Sequence, residues 1–128
     1  MKKVLVVDDD VELLTVVGII LSAHYIVEMI SDWQKVNAMV HDFKPDLIVL
    51  DIYLGSADGR EICKEIKTIT EIQHIPVLLY SANNEQINHE DCNAQAFIPK
   101  PFEIKDLLSI IDTLLHPLDT AQGNLLSA

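Results

Sequence analysis

Val4-Leu5-Val6-Val7-Asp8-Asp9-Asp10 is the stretch on which the reading of this chain turns. Four consecutive aliphatic residues, mostly β-branched, suit a strand covered on both faces rather than one half-exposed strand. The run stops at three aspartates, so a buried strand delivers carboxylates at its C-terminal end. The construction recurs downstream. Leu47 to Leu50 leads into Asp51, Pro76 to Tyr80 leads into Ser81, and Ala94 to Ile98 is followed closely by Lys100. Tyr25 to Ile30 supplies one more strand.

Between these runs the apolar period becomes helical. Val11 to Ala23 has apolar residues at 13, 14, 17, 20 and 21. Ser31-Asp32-Trp33-Gln34 matches a capping box, and Trp33, Val36, Val40 and Phe43 then share one face until Pro45 ends the helix. Asp58 with Glu61 marks another start, with Ile62, Ile66 and Ile69 as the apolar face. Asn83 to Asn93 is polar apart from Ile87 and Cys92, which predicts only a weak helix. Ile104, Leu107, Leu108, Ile111, Leu114 and Leu115 line the clearest helix, and Pro117 stops it. Five strands alternating with five helices predict an α/β fold, a doubly wound parallel sheet in a three-layer α/β/α sandwich. In such sheets ligands bind beyond the C-terminal strand ends, where strand order reverses. Asp8, Asp9, Asp51, Ser81 and Lys100 are therefore expected along one edge.

Composition bounds the function. The 128 residues predict one domain, placed at 1–117, with 118–128 as a C-terminal tail or linker stub. An apolar fraction of 49% excludes an intrinsically disordered chain. The 20 Asp and Glu against 9 Lys and Arg give a net charge of −11. That balance excludes binding of nucleic acid by phosphate neutralisation and docking on anionic lipid, and favours a cationic partner. No run approaches the roughly 18 apolar residues of a membrane span. Only Val4 to Val7 follow Met1-Lys2-Lys3, too few for a signal peptide, so the chain reads as cytoplasmic. Cys63 and Cys92 have no metal-ligand spacing and read as unlinked thiols. The histidines at 24, 41, 74, 89 and 116 share no ligand spacing and read as surface or edge residues, His89 as an exposed member of a partner face. Trp33 reads as packing.

The expected edge constrains its chemistry. Two carboxylates about 4 Å apart repel by about 4 kcal/mol at an effective dielectric of about 20. Asp8, Asp9 and Asp51 together need a proton or a cation. An all-oxygen set favours a hard ion, Mg²⁺ before Zn²⁺, and Mg²⁺ leaves positions for water and a phosphoryl group. Lys100 adds a positive charge and Ser81 a hydroxyl, both suited to phosphoryl oxygens. A carboxylate is itself a competent nucleophile and forms an aspartyl phosphate, whose equatorial oxygens the metal and lysine would stabilise.

Val6-Val7-Asp8-Asp9-Asp10, Leu50-Asp51-Ile52 with Asp58-Gly59, Ser81-Ala82 and Lys100-Pro101-Phe102 occur in that order, each at the end of a strand or just after it. Over residues 2 to 116 the chain resembles the receiver domains of two-component response regulators. The resemblance implies strand order 2-1-3-4-5 and Asp51 as phosphoacceptor, supplied by a sensor histidine kinase, a histidine phosphotransfer protein or an acyl phosphate. It implies Mg²⁺ or Mn²⁺ held by Asp9 and Asp51 directly, by Asp8 mainly through water, and by the Tyr53 carbonyl. It also implies Ser81 and Lys100 on the phosphoryl group, Phe97 as an aromatic switch, and a cis bond before Pro101. Such a domain is a switch that phosphorylates and dephosphorylates itself, not a turnover enzyme, and works as a monomer or phosphorylation-dependent homodimer. Its output is an unknown downstream protein or an output domain beyond the tail. The family's kinase-docking face is built around the first helix, whose exposed side here includes Glu12 and Thr15. Tyr53 and Asn83 stand where the family tunes dephosphorylation.

Two departures stand out. Ser81 and Lys100 are 19 positions apart, which shortens the fourth helix by roughly a turn and puts family dimer geometry in doubt. Gly55 stands where many members have Pro, loosening the loop after Asp51. Three other readings remain open. A degenerate receiver would act as a phosphorylation-independent interaction module. A phosphohydrolase would use the Asp8-x-Asp10 pair, but Val11-Glu12 follows where Gly and Thr are needed, and no cap domain fits. A flavodoxin-like electron carrier lacks a phosphate-binding loop after the first strand.

Overall fold

Alternating faces of the buried strands organise the molecule, as seen in a computed structural model that describes residues 1–82 and 88–117. The central strands are β1 (Lys3–Val7), β2 (Ile26–Ile30), β3 (Leu47–Asp51), β4 (Val77–Ser81) and β5 (Ala96–Pro99). They form one parallel sheet in the order β2-β1-β3-β4-β5, the predicted 2-1-3-4-5. The α-helices are α1 (Val11–Ser22), α2 (Val36–Phe43), α3 (Gly59–Thr68) and α4 (Ile104–Leu115).

Every residue of β3 and β4 is buried: the apolar runs as strands covered on both faces require, and the polar Asp51 and Ser81 at their ends with them. Because side chains alternate, the two sheet faces feed separate cores. Leu5, Val7, Ile48, Leu50 and Leu79 pack with Val36 and Val40 of α2 and Cys63 and Ile66 of α3. Val4, Val6, Val49, Leu78 and Tyr80 pack with Leu14 and Val17 of α1 and Leu107 and Ile111 of α4. Each fully buried aliphatic side chain contributes roughly 1.5–3 kcal/mol of transfer free energy. β2 is a sheet edge and is largely exposed, buried only at Ile30.

Several expectations are corrected. No Ser31/Gln34 capping box forms. Asp32 caps instead, its Oδ1 accepting from the Gln34 N–H at 3.0 Å. A 3-10 turn, Trp33–Lys35, thus precedes α2. Its carboxylate caps the turn two residues on, ahead of the Ser31 hydroxyl three residues away. Where a weak helix was predicted over 83–93, His89–Cys92 is a 3-10 turn. Residues 83–87, including Asn83, lie outside the described residues, as does the predicted tail at 118–128. Four α-helices therefore stand among the described residues where five were expected. The loop at 55–59 carries a short antiparallel pairing of Tyr53–Leu54 with Ala57–Asp58, turned by Gly55 at φ +66°. Ile104, assigned to the apolar face of the last helix, is 38% exposed. Cys63 and Cys92 are free, buried thiols, as expected.

Candidate functional site

Strand order reverses between β1 and β3, and Asp8 and Asp51 stand at the C-terminal ends of those two strands. Asp8 follows β1, its N–H donating to the Ile30 carbonyl at 3.1 Å, which carries the parallel pairing one residue past the strand. Asp10 caps α1 by accepting from the Leu13 N–H at 3.2 Å, and leaves Asp8 and Asp9 at the sheet edge. Asp8 and Asp51 are buried and Asp9 is exposed. One carboxylate oxygen from each lies within 4.8 Å of the others.

Lys100 arrives from the opposite side of the site. Its N–H donates to the Ser81 carbonyl at 2.8 Å, continuing the β4–β5 ladder, and the Lys100–Pro101 bond is cis, as the resemblance implied. The Lys100 Nζ lies 3.0 Å from Asp8 Oδ2 and 3.3 Å from Asp51 Oδ2. Ser81 ends β4 and is fully buried. Tyr53, two residues past Asp51, donates its N–H to Asp51 Oδ1 at 3.2 Å and exposes 42% of its surface. Phe97 on β5 is half-buried against the core on the α2/α3 side and lines a surface groove with Pro99, Pro101 and Phe102. Trp33 is half-buried packing against that same core, and His89 is half-buried in the 3-10 turn.

Gly59 ties the α3 start to the phosphoacceptor candidate's backbone. A Cβ there would sit 2.1 Å from the Asp51 carbonyl oxygen, and the Gly59 N–H donates to the Ile52 carbonyl at 2.7 Å. Only glycine permits that approach, which accounts for the glycine at position 59.

Electrostatics separate the two buried carboxylates. Burial pushes Asp51 up to about 6; Lys100 works against this and the neighbouring Asp8 charge adds to it. Burial would raise Asp8 too, but the Tyr80 hydroxyl, the Asp10 N–H and Lys100 outweigh it and hold Asp8 below the usual carboxylate range. A single lysine thus serves two buried carboxylates, with a third beside them. That surplus of negative charge on oxygen ligands fits a hard divalent cation.

Tyr80, which from the sequence reads only as strand, is a further member of this site. Its hydroxyl donates to Asp8 Oδ2 at 2.6 Å, and its ring lies 4.3 Å from the Lys100 Nζ. The signal was present: a tyrosine ends the otherwise aliphatic run Val77-Leu78-Leu79, and a buried phenol requires a hydrogen-bond partner.

The family model for the response regulator receiver domain matches residues 4–112. The DNA-binding dual master transcriptional regulator RpaA of Synechocystis sp. is 32% identical over 123 residues, covering 93% of this chain and 51% of that protein. Response regulator MprA of Mycobacterium leprae is 31% identical over 128 residues, covering 94% and 55%. The chain therefore spans about half the length of these relatives. Among solved structures, the receiver domain of NtrX from Brucella abortus aligns with TM-score 0.78 at 30% identity, covering 88% of this chain and 98% of that one. Chemotaxis response regulator CheY4 of Vibrio cholerae aligns at 0.81 with 24% identity over 89% and 98%, a likeness of fold.

Proposed function

This chain belongs to the response regulator receiver domain family, and from that premise we propose that Asp51 is its phosphoacceptor. Phosphorylation-dependent signalling is the general function of the family, whose domains are signalling proteins rather than turnover enzymes. Receiver domains generally bind Mg²⁺ at an acidic cluster, here Asp8, Asp9 and Asp51.

The observation that carries the reading is Lys100 bridging Asp8 and Asp51 at 3.0 and 3.3 Å within the three-aspartate cluster. Asp51 attacks the phosphorus of a phosphohistidine or acyl phosphate. An O–P bond forms as the donor's P–N or P–O bond breaks, and the electron pair leaves with the imidazole or carboxylate. Lys100 then exchanges its carboxylate partners for phosphoryl oxygens, and the Ser81 hydroxyl donates to the same group. Asp9 and Asp51, Asp8 through water, and the Tyr53 carbonyl would hold Mg²⁺ or Mn²⁺, which when bound neutralises the carboxylates and the phosphoryl charge. Phe97, half-buried on β5, is the aromatic that answers the movement of Ser81.

The donor is a sensor histidine kinase or a histidine phosphotransfer protein, working in the cytoplasm. Among the described residues no helix is long and apolar enough to cross a membrane. The donor docks on α1, whose exposed face carries Val11, Val16 and Ile19 beside Glu12 and Thr15 and begins at the acidic edge. The downstream partner binds the phosphorylated form of a monomer or homodimer, without nucleic-acid contact by this strongly acidic domain. The test is intact mass after incubation with acetyl phosphate and Mg²⁺. A single phosphoryl adduct is expected, absent from Asp51→Asn and absent with EDTA. No adduct on folded protein with saturating Mg²⁺ would overturn the phosphoacceptor reading in favour of a module that signals by binding alone.

A further inference from the structure

The Tyr80 hydroxyl has no packing task. Val77, Leu78 and Leu79 fill their buried positions of β4 with apolar bulk alone, and a phenylalanine would place the same ring at position 80. Taking a hydroxyl out of water is unfavourable unless it finds a partner. Here that partner is Asp8 Oδ2, at 2.6 Å, inside the cluster just described.

The bond divides the Asp8 carboxylate into two unlike oxygens. Oδ2 accepts from both the Tyr80 hydroxyl and the Lys100 Nζ, while Oδ1 accepts from the Asp10 N–H at 2.9 Å. A carboxylate oxygen offers about two lone-pair sites, so Oδ2 is filled and Oδ1 keeps the open one. Lys100 is a shared donor, 3.3 Å from Asp51 as well. The Tyr80 donor is not shared. Its ring is fixed in the core on the α1/α4 side, with the Phe102 ring centroid 6.0 Å away at 54°.

We propose that Tyr80 is a positioning residue for the cation site: through its hydroxyl it fixes the Asp8 carboxylate, with Oδ1 left as the oxygen open to the ion's coordination sphere, independently of Lys100. The inference rests on the cation-binding reading of the same aspartates. Hydrogen-bond partners of ligating groups commonly govern metal affinity by about 10–100-fold.

The experiment is calorimetric titration of Mg²⁺ into wild type, Tyr80→Phe, Asp8→Asn and the double variant, with a thermal melt of each. Tyr80→Phe keeps the ring against Phe102 and is expected to melt cooperatively, yet to bind Mg²⁺ about tenfold more weakly. The same substitution in the Asp8→Asn background is expected to change affinity less than about twofold, because its effect passes through the carboxylate. Raising Mg²⁺ is expected to restore the acetyl phosphate reaction of Tyr80→Phe to near the wild-type rate, placing the effect on affinity. Wild type that binds Mg²⁺ while Tyr80→Phe binds it equally well or more tightly would overturn the role of Tyr80 alone. Wild type that binds no Mg²⁺ would overturn the cation-site reading and the role of Tyr80 with it. An equal loss in both backgrounds, or loss of cooperative melting in Tyr80→Phe, would make the hydroxyl structural and also overturn the proposal.

Discussion

Asp51 and Asp8 are the same residue type at the ends of neighbouring strands, yet their surroundings pull them apart. Burial carries Asp51 from about 3.8 to about 6, so its proton is bound more tightly in the folded chain than in the unfolded one. The stabilisation from that proton is full below about pH 3.8 and is lost as pH rises through about 6. The difference is on the order of 3 kcal/mol across that window. Asp8 has the opposite sign, since its lowered value favours the fold above its unfolded pKa and is lost on acidification. In EDTA, Asp51→Asn is therefore expected to be more stable than wild type at pH 7.5 by urea unfolding. Its advantage should shrink steadily from about pH 6 toward pH 4. A pH-independent difference, or a destabilised variant at pH 7.5, would show that Asp51 carries no such penalty. The three aspartates, Ser81 and Lys100 were legible in the sequence because each ends or closely follows an apolar run. For Tyr80 the tyrosine at the end of its run showed that a hydroxyl needed a partner, but not which one, because Asp8 lies 72 positions away.

At the scale of elements, the same contrast holds between strands and the turns around them. β1, β3 and β4 were placed to within a residue because burial on both faces leaves a continuous aliphatic signature. The start of α2 was misread because Ser31 and Asp32 both offer capping oxygens and the sequence does not rank them; the Asp32 carboxylate bonds the Gln34 N–H and draws the chain into a 3-10 turn first. Helix α1 was legible in its buried stripe, and its outward face is apolar as well. Leu14, Val17 and Leu21 are buried, while Val11, Val16 and Ile19 are 60%, 52% and 67% exposed. An outward apolar ridge on a chain of net charge −11 is a surface a partner would cover rather than a solvated face. Ile19→Glu should therefore slow phosphoryl transfer from a cognate phosphohistidine donor tenfold or more. The rate with acetyl phosphate should stay within about twofold, since Ile19 lies about two turns along α1 from its start at the acidic edge. Equal slowing with both donors would point to a disturbed fold, and unchanged transfer from the protein donor would remove α1 from the docking surface.

Across the whole molecule, one topological fact turns separate strands into a site. The order β2-β1-β3-β4-β5 reverses between β1 and β3, so side chains from residues 8, 51 and 100 meet although they are far apart along the chain. Parallel pairing with right-handed crossovers made that edge foreseeable from alternation alone. The conformation of the connection after β4 was not foreseeable, because its polar run offers no apolar period to set a helix. The assembled edge concentrates negative charge in an already acidic chain, and the folded state holds that charge together where the unfolded state disperses it. A cation bound by the three aspartates must therefore stabilise the fold. At pH 7.5 and about one hundred times its dissociation constant, Mg²⁺ is expected to add about 2.7 kcal/mol. For a domain of this size that raises the Tm by roughly 10 °C. NaCl at matched ionic strength separates binding from screening of the overall charge, and Asp9→Asn separates this site from other acidic surface. A rise of equal size with NaCl alone, or one unchanged in Asp9→Asn, would mean that the ion acts on the molecule's net charge and not at the strand-end aspartates.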